Sequence, residues 1–430
     1  MTQTLIGFAV VFVLLFLGTP IAFGMALVGF AGFAFFMGWG PALAMVGQIT
    51  YETTISDELS VLPLFILMGS FISRAGLGQE LYDCANAFLG HRRGGLAMAT
   101  VVACGGFAAV SGSSMATAAT MSKVAMPAMR RYGYADSLAA GSIAAGGTLG
   151  ILIPPSVIMV LYGIMTSTDI GKLFIAGVIP GLIGVLFYMA AVAVATTINP
   201  ALGPPGPRSD WPQRLRATSK IWGVLLLFLI VMGGIYLGLF TPTEAAGIGS
   251  GGAFLFALAR RKLSWSVLFN TLVETARTSA MMFILLISAI LFSNFINVAG
   301  LPDQLSSWVQ AFGASPMVVM LCILAVYLVL GCLLESLSMI LLTVPIFFPI
   351  VQALGFDPIW FGVIIVVVVE ISMITPPIGL NVFVLKATLK DVPVTTIFRG
   401  VAIFIAADVL RLALFVFVPP IILFLPSLMN

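Results

Sequence analysis

Charge is what this sequence has least of. Only 8% of its 430 residues are Asp, Glu, Lys or Arg, where soluble domains carry about 25%. A chain of this length and so little charge cannot cover its surface for water, which argues against a soluble enzyme or binding domain. Histidine is nearly absent: His91 is the single one. It stands beside Arg92 and Arg93 in a polar connection and reads as a loop residue, not a base. The four cysteines (Cys84, Cys104, Cys322, Cys332) show no metal spacing. Three of them lie in apolar runs, where a thiol behaves as a small buried hydrophobe. No Gly-Lys-Ser/Thr phosphate loop and no nucleophile–base set occur, so the reading is not an enzyme, and not a chain that hydrolyses ATP by itself. The start, 5–16, has no basic leader region and no small-residue cleavage site, so it reads as a retained helix and not a signal peptide.

What is present is apolar. The hydrophobic fraction is 60%, and runs of about 20 residues, long enough to cross a bilayer as helices, recur along the whole length, as at 173–198 and 221–240. The chain therefore reads as an all-α polytopic membrane protein.

The two halves repeat at an offset of 222 residues. Thr19-Pro20 matches Thr241-Pro242, Glu52 matches Glu274, and Pro127 matches Pro349. Gly133-Tyr134 matches Gly355-Phe356, Pro154-Pro155 matches Pro376-Pro377, and Asp169 matches Asp391. Ala75-Gly76-Leu77 matches Ala299-Gly300-Leu301 with a slip of two. An ordered series of this kind is the signature of duplication. The division is a first repeat over 1–198, a cytoplasmic linker over 199–220 and a second repeat over 221–430.

In the first repeat, spans fall near 4–18, 20–38, 59–75, 135–165 and 171–198. Segment 94–130 differs: it is two short apolar stretches broken by Val110-Ser111-Gly112-Ser113-Ser114. Arg92 and Arg93 precede it and Arg130 and Arg131 follow it, so both ends favour the cytoplasm. It reads as a re-entrant helical hairpin; two complete crossings are the alternative. The span near 135–165 is broken at Gly146-Gly147-Thr148-Leu149-Gly150 and Pro154-Pro155. Proline removes amide donors and stops the preceding helix. The second repeat gives a hairpin over about 316–350 and a broken helix over about 357–388. Five spans per half is an odd number, so the second half enters the membrane inverted. The charges agree: of 19 Lys and Arg, only Lys172 falls outside, with Lys123 in the inner hairpin and Arg411 within a span. Both termini are then periplasmic. Segments 40–58 and 262–278 are less apolar and read as interfacial amphipathic helices, with plain loops as the alternative.

Inverted repeats with broken helices place substrate and ion sites near the midplane, and unwound backbone is tolerated there only inside protein or along a cavity. The tips carry hydroxyls and free carbonyls, hard oxygen ligands suited to a small cation. The helices leaving the breaks aim positive N-terminal ends inward, which favours an anion. No Lys or Arg is expected near the four tips, so a carboxylate would rest on helix ends, hydroxyls, Asn381 and the cations. Glu335, Glu370, Asp408 and Glu244 lie at membrane depth, where acids are functional candidates. Glu335, at a tip, is the foremost. Asp408 and Arg411, three apart, read as an ion pair within one helix, and Glu244 as a helix-start cap.

Ser111-Gly112-Ser113-Ser114-Met115-Ala116-Thr117, Leu152-Ile153-Pro154-Pro155-Ser156 and Thr375-Pro376-Pro377-Ile378-Gly379-Leu380-Asn381 together resemble the large membrane (M, DctM-like) subunit of TRAP, tripartite ATP-independent periplasmic, transporters. The likeness covers essentially the whole chain. It implies an elevator-type transporter of a bacterial inner membrane that imports an organic acid with Na+, at least two ions per cycle. It implies a periplasmic substrate-binding protein and a small four-helix membrane subunit, expected as a separate chain because no extension precedes Met1. It places sodium at Ser113, Ser114, Thr148 and Gly150, and at Ser336, Ser338, Thr375 and Gly379. Ser156, Glu335 and Asn381 are the expected substrate-lining residues. The alternatives are a self-sufficient sodium/dicarboxylate symporter of related architecture, and a channel or scaffold without coupled transport. The identity of the acid is not written in this chain.

Overall fold

The computed structural model describes residues 2–311, 313 and 315–429. Among the described residues all regular structure is helical. The first half contains α1 (Thr2–Phe16), α2 (Ile21–Met37), α3 (Trp39–Ile55), α4 (Val61–Arg74), α5 (Leu77–Leu89), α6 (Gly95–Ser111), α7 (Ser114–Arg131), α8 (Asp136–Thr148), α9 (Val157–Thr166) and α10 (Ile170–Ile198). The linker carries α11 (Trp211–Thr218). The second half contains α12 (Trp222–Tyr236), α13 (Pro242–Ala259), α14 (Trp265–Val298), α15 (Leu301–Ala311), α16 (Pro316–Gly331), α17 (Ser336–Ala353), α18 (Pro358–Ile374), α19 (Leu380–Thr388), α20 (Val394–Phe417) and α21 (Pro420–Leu423).

Local chemistry sets these boundaries. At the start of α13, the Thr241 hydroxyl accepts from the Glu244 amide at 3.2 Å and the Glu244 carboxylate accepts from the Thr241 amide at 2.8 Å. This is a capping box closed by Pro242 in the first turn, so Glu244 is a cap. Four helices, α10, α14, α17 and α20, are each long and apolar enough to cross a membrane alone. α1, α2, α6, α9, α16 and α18 are shorter apolar helices of 10–17 residues. Of these, α1, α9 and α16, with 15, 10 and 16 residues, fall short of the about 17–25 residues that a single crossing takes.

One difference separates the halves. In the first, α3 and the following helical stretch meet at a 57° bend, because Ser56 is extended at φ −67°, ψ 117°. In the second, the matching segment becomes helical at Trp265, capped by Ser264, and runs without interruption into the span, so that α14 is one helix of 34 residues. The less apolar stretch there is thus the first part of a long helix.

Burial sorts the helices into two groups. Every residue of α8 from Leu138 to Thr148, and of α18 from Trp360 to Ile374, is buried. α1–α3 and α12–α14 instead leave large apolar side chains exposed, among them Phe16, Phe35, Trp39, Leu229 and Trp265. The breaks therefore sit at the centre and the exposed helices form a frame with a lipid-facing surface. Glycines permit the closest crossings. A Cβ at Gly141 would stand 2.5 Å from the Gly400 carbonyl, which locks α8 onto α20, and one at Gly29 would stand 2.6 Å from the Phe292 amide, which locks α2 onto α14. Small residues at crossings let backbones pack directly where lipid supplies no hydrophobic drive.

Candidate functional site

Four interruptions meet at the core. At the first hairpin tip α6 ends on Ser111, Gly112 adopts the left-handed region at φ +58°, and Ser113 caps α7 by accepting from the Ala116 amide at 3.3 Å. At the first break α8 ends on Thr148 and gives way to a short turn over Leu149–Ile151. The Pro154-Pro155 bond there is cis, as is Pro376-Pro377 at the second break. Ser156 caps α9, accepting from the Met159 amide at 3.4 Å. At the second break α18 ends on Ile374 and Gly379, at φ +59°, opens α19. At the second tip α16 ends on Gly331 and Glu335 stands at the N-cap of α17.

Each tip presses on a break. A Cβ at Gly150 would lie 2.9 Å from the Ser113 carbonyl and 3.0 Å from the Ser114 amide, and one at Gly112 would lie 2.9 Å from the Pro155 carbonyl. The backbones of Ser113, Ser114 and Gly150 are thereby brought together. On the other side, a Cβ at Gly331 would lie 2.3 Å from the Ser372 hydroxyl, and the Cys332 thiol approaches the Pro376 carbonyl at 3.5 Å. The two halves also cross over. Ser114 donates to the Asn381 side-chain carbonyl at 2.9 Å, and Asn381 donates to the Ala144 carbonyl at 3.2 Å. Asn381, past the second break, thus ties the first tip to the first broken helix.

Both tips face one cavity of about 820 Å³, walled by residues 111–116, 335–338, α2, α4 and α14. Ser113, Ser114, Glu335, Ser336 and Ser338 stand on its wall. Thr148, Gly150, Thr375 and Gly379 lie behind it at the breaks. Ser156 and Asn381 have no exposed surface and are not on this wall: Ser156 donates to the Ile151 carbonyl at 2.5 Å, and Asn381 is the cross-tie above. Among the described residues the Ser338 hydroxyl is buried with no hydrogen-bond partner, an orphaned oxygen of the kind that a small cation would satisfy. Thr148 and Thr375 turn their hydroxyls to carbonyls of their own helices, Ala145 at 2.8 Å and Ile371 at 2.6 Å. Among the described residues no group of three or more His, Cys, Asp or Glu could hold a metal ion; the carboxylates on this cavity are Glu335 and Glu274.

The expectation that no basic group lies near the tips needs correcting. Arg74, at the end of α4, lines the same cavity and donates to Glu274 of α14 at 2.8 Å. α4 reaches the tip because Gly69 lets it lie against the Ser111 carbonyl, 2.9 Å from where a Cβ would stand. The ion pair of Asp408 and Arg411 is present at 2.8 Å, and Glu370 joins it at 2.5 Å.

Broken helices, re-entrant hairpins and a central cavity in a wholly helical, apolar chain define a multi-pass membrane transporter. The comparisons then name the family. Residues 8–421 match the family described as "Tripartite ATP-independent periplasmic transporter, DctM component", and this chain belongs to it. It is 40% identical to the C4-dicarboxylate TRAP transporter large permease protein DctM of Pseudomonas aeruginosa, with 88% of each chain covered. It is 35% identical to the protein of the same name from Rhodobacter capsulatus over the full length of both. A solved structure, the YdaH transporter of Alcanivorax borkumensis, superposes with a TM-score of 0.65 at 14% identity over 88% of each chain, a likeness of fold alone. The chain is thus the large permease subunit of a TRAP transporter, and not an enzyme.

Proposed function

We propose that this subunit imports a C4-dicarboxylate, coupled to at least two Na+ ions, across a bacterial inner membrane. The observation that carries the reading is the pair of repeat-related hairpin tips facing one cavity, with the Ser338 hydroxyl buried and unpartnered. One cation site draws on Ser113, Ser114, Thr148 and Gly150, the other on Ser336, Ser338, Thr375 and Gly379. Glu335 adds negative charge beside the second tip, which suits a cation and not a carboxylate. A carboxylate instead meets the N-termini of α7 and α17, the bound cations, and Arg74 once it leaves Glu274. Dicarboxylate is the class carried in the names of the Pseudomonas and Rhodobacter relatives. Other relatives bear the names of isethionate, ectoine and sialic acid transporters, consistent with selection falling largely on a periplasmic binding protein that delivers the acid. α6–α9 and α16–α19 move as a unit, as an elevator, against the frame of α1–α4 and α12–α14. The exposed apolar side of that frame receives a separate small membrane subunit.

The test is uptake of labelled succinate into proteoliposomes holding this chain and the small subunit, with the binding protein outside. Uptake should need an inward Na+ gradient and the loaded binding protein. Equal uptake in a K+ gradient sinks the sodium coupling. Uptake by this chain alone, without either partner, would instead establish the self-sufficient symporter.

A further inference from the structure

The chemistry left unused by that reading is a chain of buried groups running between the two broken helices. Thr148, the last residue of α8, lies 3.2 Å from the Tyr188 hydroxyl of α10. Tyr188 donates to Asp408 of α20 at 2.7 Å. One nitrogen of Arg411, a turn further on, holds both Asp408 at 2.8 Å and Glu370 of α18 at 2.5 Å. All five side chains have no exposed surface. Thr148 and Glu370 are equivalent positions of the repeat, 222 residues apart. The relay therefore links one point on the first broken helix to its counterpart on the second.

We propose that Tyr188, Asp408, Arg411 and Glu370 are positioning residues that couple the two cation sites, so that occupancy at one break is felt at the other. The inference rests on the sodium reading above. Tyr188 spends its proton on Asp408, which leaves its oxygen as an acceptor. The Thr148 proton is then shared between that oxygen and the Ala145 carbonyl, 2.8 Å away. This fixes which lone pairs of Thr148 face the break. Stability alone is a poor explanation for the cluster. Two carboxylates against one guanidinium in a dry interior cost more than apolar packing of the same volume. Room is also kept for it: a Cβ at Gly184 would stand 2.2 Å from an Arg411 nitrogen. Two further Arg411 nitrogens and one Glu370 oxygen find no hydrogen-bond partner among the described residues, while the guanidinium lies over the Tyr188 ring, 5.5 Å from its centroid. The cluster thus holds spare donors and a spare acceptor, which a second arrangement of the same four helices can use.

The experiment is Na+-dependent thermal stabilisation of the chain purified with its small subunit, titrated against constant ionic strength in choline. The wild type should respond cooperatively. Tyr188→Phe removes one hydroxyl and keeps the ring. It should raise the half-stabilising Na+ concentration by about tenfold, the worth of one hydrogen bond to a charged group, and lower the Hill coefficient toward one. Glu370→Gln, which touches neither proposed site, should lower the Hill coefficient as well. Ser142→Ala, whose hydroxyl bonds only Ala139 of its own helix among the described residues, should change neither. A Tyr188→Phe response equal to wild type overturns the relay, as does a wild-type Hill coefficient of one, while both leave the sodium reading standing. A wild type blind to Na+ overturns both. If neither Tyr188→Phe nor Glu370→Gln yields a folded complex, the cluster is a brace and the coupling proposal falls.

Discussion

The two hairpin tips are built alike but tied down unequally. The first is fastened: Ser114 bonds Asn381, Asn381 bonds Ala144, and Gly150 lies in backbone contact with Ser113 and Ser114. The second presents Glu335 and a buried Ser338 hydroxyl with no partner among the described residues, and meets its break by packing of Gly331 against Ser372 and the weak approach of the Cys332 thiol to the Pro376 carbonyl, with no side-chain tie like that of Ser114 to Asn381. A tip whose polar groups are satisfied loses little when nothing is bound. A tip with an orphaned hydroxyl gains when a cation arrives, because anything that binds the folded state adds its binding energy to stability. The comparison therefore predicts that the second hairpin is the more ligand-dependent of the two, although the repeat gives both the same plan.

The sharpest way to break that comparison is at the glycines of the two breaks. Gly150→Ala puts a Cβ 2.9 Å from backbone atoms of Ser113, where no side chain can swing aside. Overpacking of this kind costs about 1–3 kcal/mol, and the distortion falls on the proposed ligands themselves. Sodium-driven uptake should drop by about a hundredfold. Gly379→Ala meets its nearest atom, on the movable Phe398 ring, at 3.3 Å and suffers mainly from φ +59°, worth about 1–2 kcal/mol. Uptake should fall only severalfold. Equal losses in the proteoliposome assay would show that the breaks are equally tight.

Next come the serines. Ser114→Ala leaves the Asn381 acceptor buried and unpaired, so stability in sodium-free buffer should fall by about 1–3 kcal/mol. Ser338→Ala removes a hydroxyl that has no partner, so stability without sodium should hold or rise. Ser114→Ala, Ser336→Ala and Ser338→Ala should each raise the Na+ needed for half-maximal uptake by about tenfold, since about 1.4 kcal/mol is tenfold. Thermal melts with and without Na+ separate the two effects. A sodium-free loss in Ser338→Ala matching that of Ser114→Ala would erase the asymmetry.

What the sequence made legible was whatever is written locally. Proline fixes φ and removes a donor wherever it stands, so Pro154-Pro155 and Pro376-Pro377 mark breaks before any contact is known. A Ser-Gly-Ser-Ser run between apolar stretches likewise marks the first tip, and Thr241-Pro242-Thr243-Glu244 spells a cap. Asp408 and Arg411 were readable as a pair because helical period sets them on one face. What stayed hidden depended on distant packing. Asn381 finds Ser114 across 267 residues of sequence, and a lone asparagine after a proline break carries no sign of that partner. Glu370 meets Arg411 only once α18 lies on α20. Arg74 looks like an ordinary cytoplasmic anchor at the end of a span until Gly69 brings α4 against the tip. Nor could less apolar composition alone tell that 262–278 would continue straight into α14 while α3 bends away.

The smallest expected effect concerns two aspartates at equivalent positions outside the spans. Asp169 is a cap, accepting from the Lys172 amide at 2.9 Å. Asp391 instead pairs at 2.6 Å with Arg130, which also holds Asp136 at 2.8 Å. One arginine thus joins the end of the first hairpin, the start of the first broken helix and the loop after the second. The hydrogen bond from Arg130 holds the Asp391 carboxyl below the usual carboxylate range. A depressed carboxylate contributes stability above its unfolded value, about 3.9, and loses it as pH falls through the lower folded value. The Asp391 side chain is 63% exposed, so water and salt screen the pair. Asp391→Asn should therefore lower the melting temperature slightly at pH 7 in low salt, and not at all in about 1 M salt, where the Debye length is about 3 Å. The difference from wild type should also shrink as the buffer is taken below about pH 4. Asp169→Ala loses a helix cap, about 1 kcal/mol, and that loss should persist at high salt because its acceptor serves a backbone amide. A salt-independent loss in Asp391→Asn would mean that the equivalent aspartates do the same work after all.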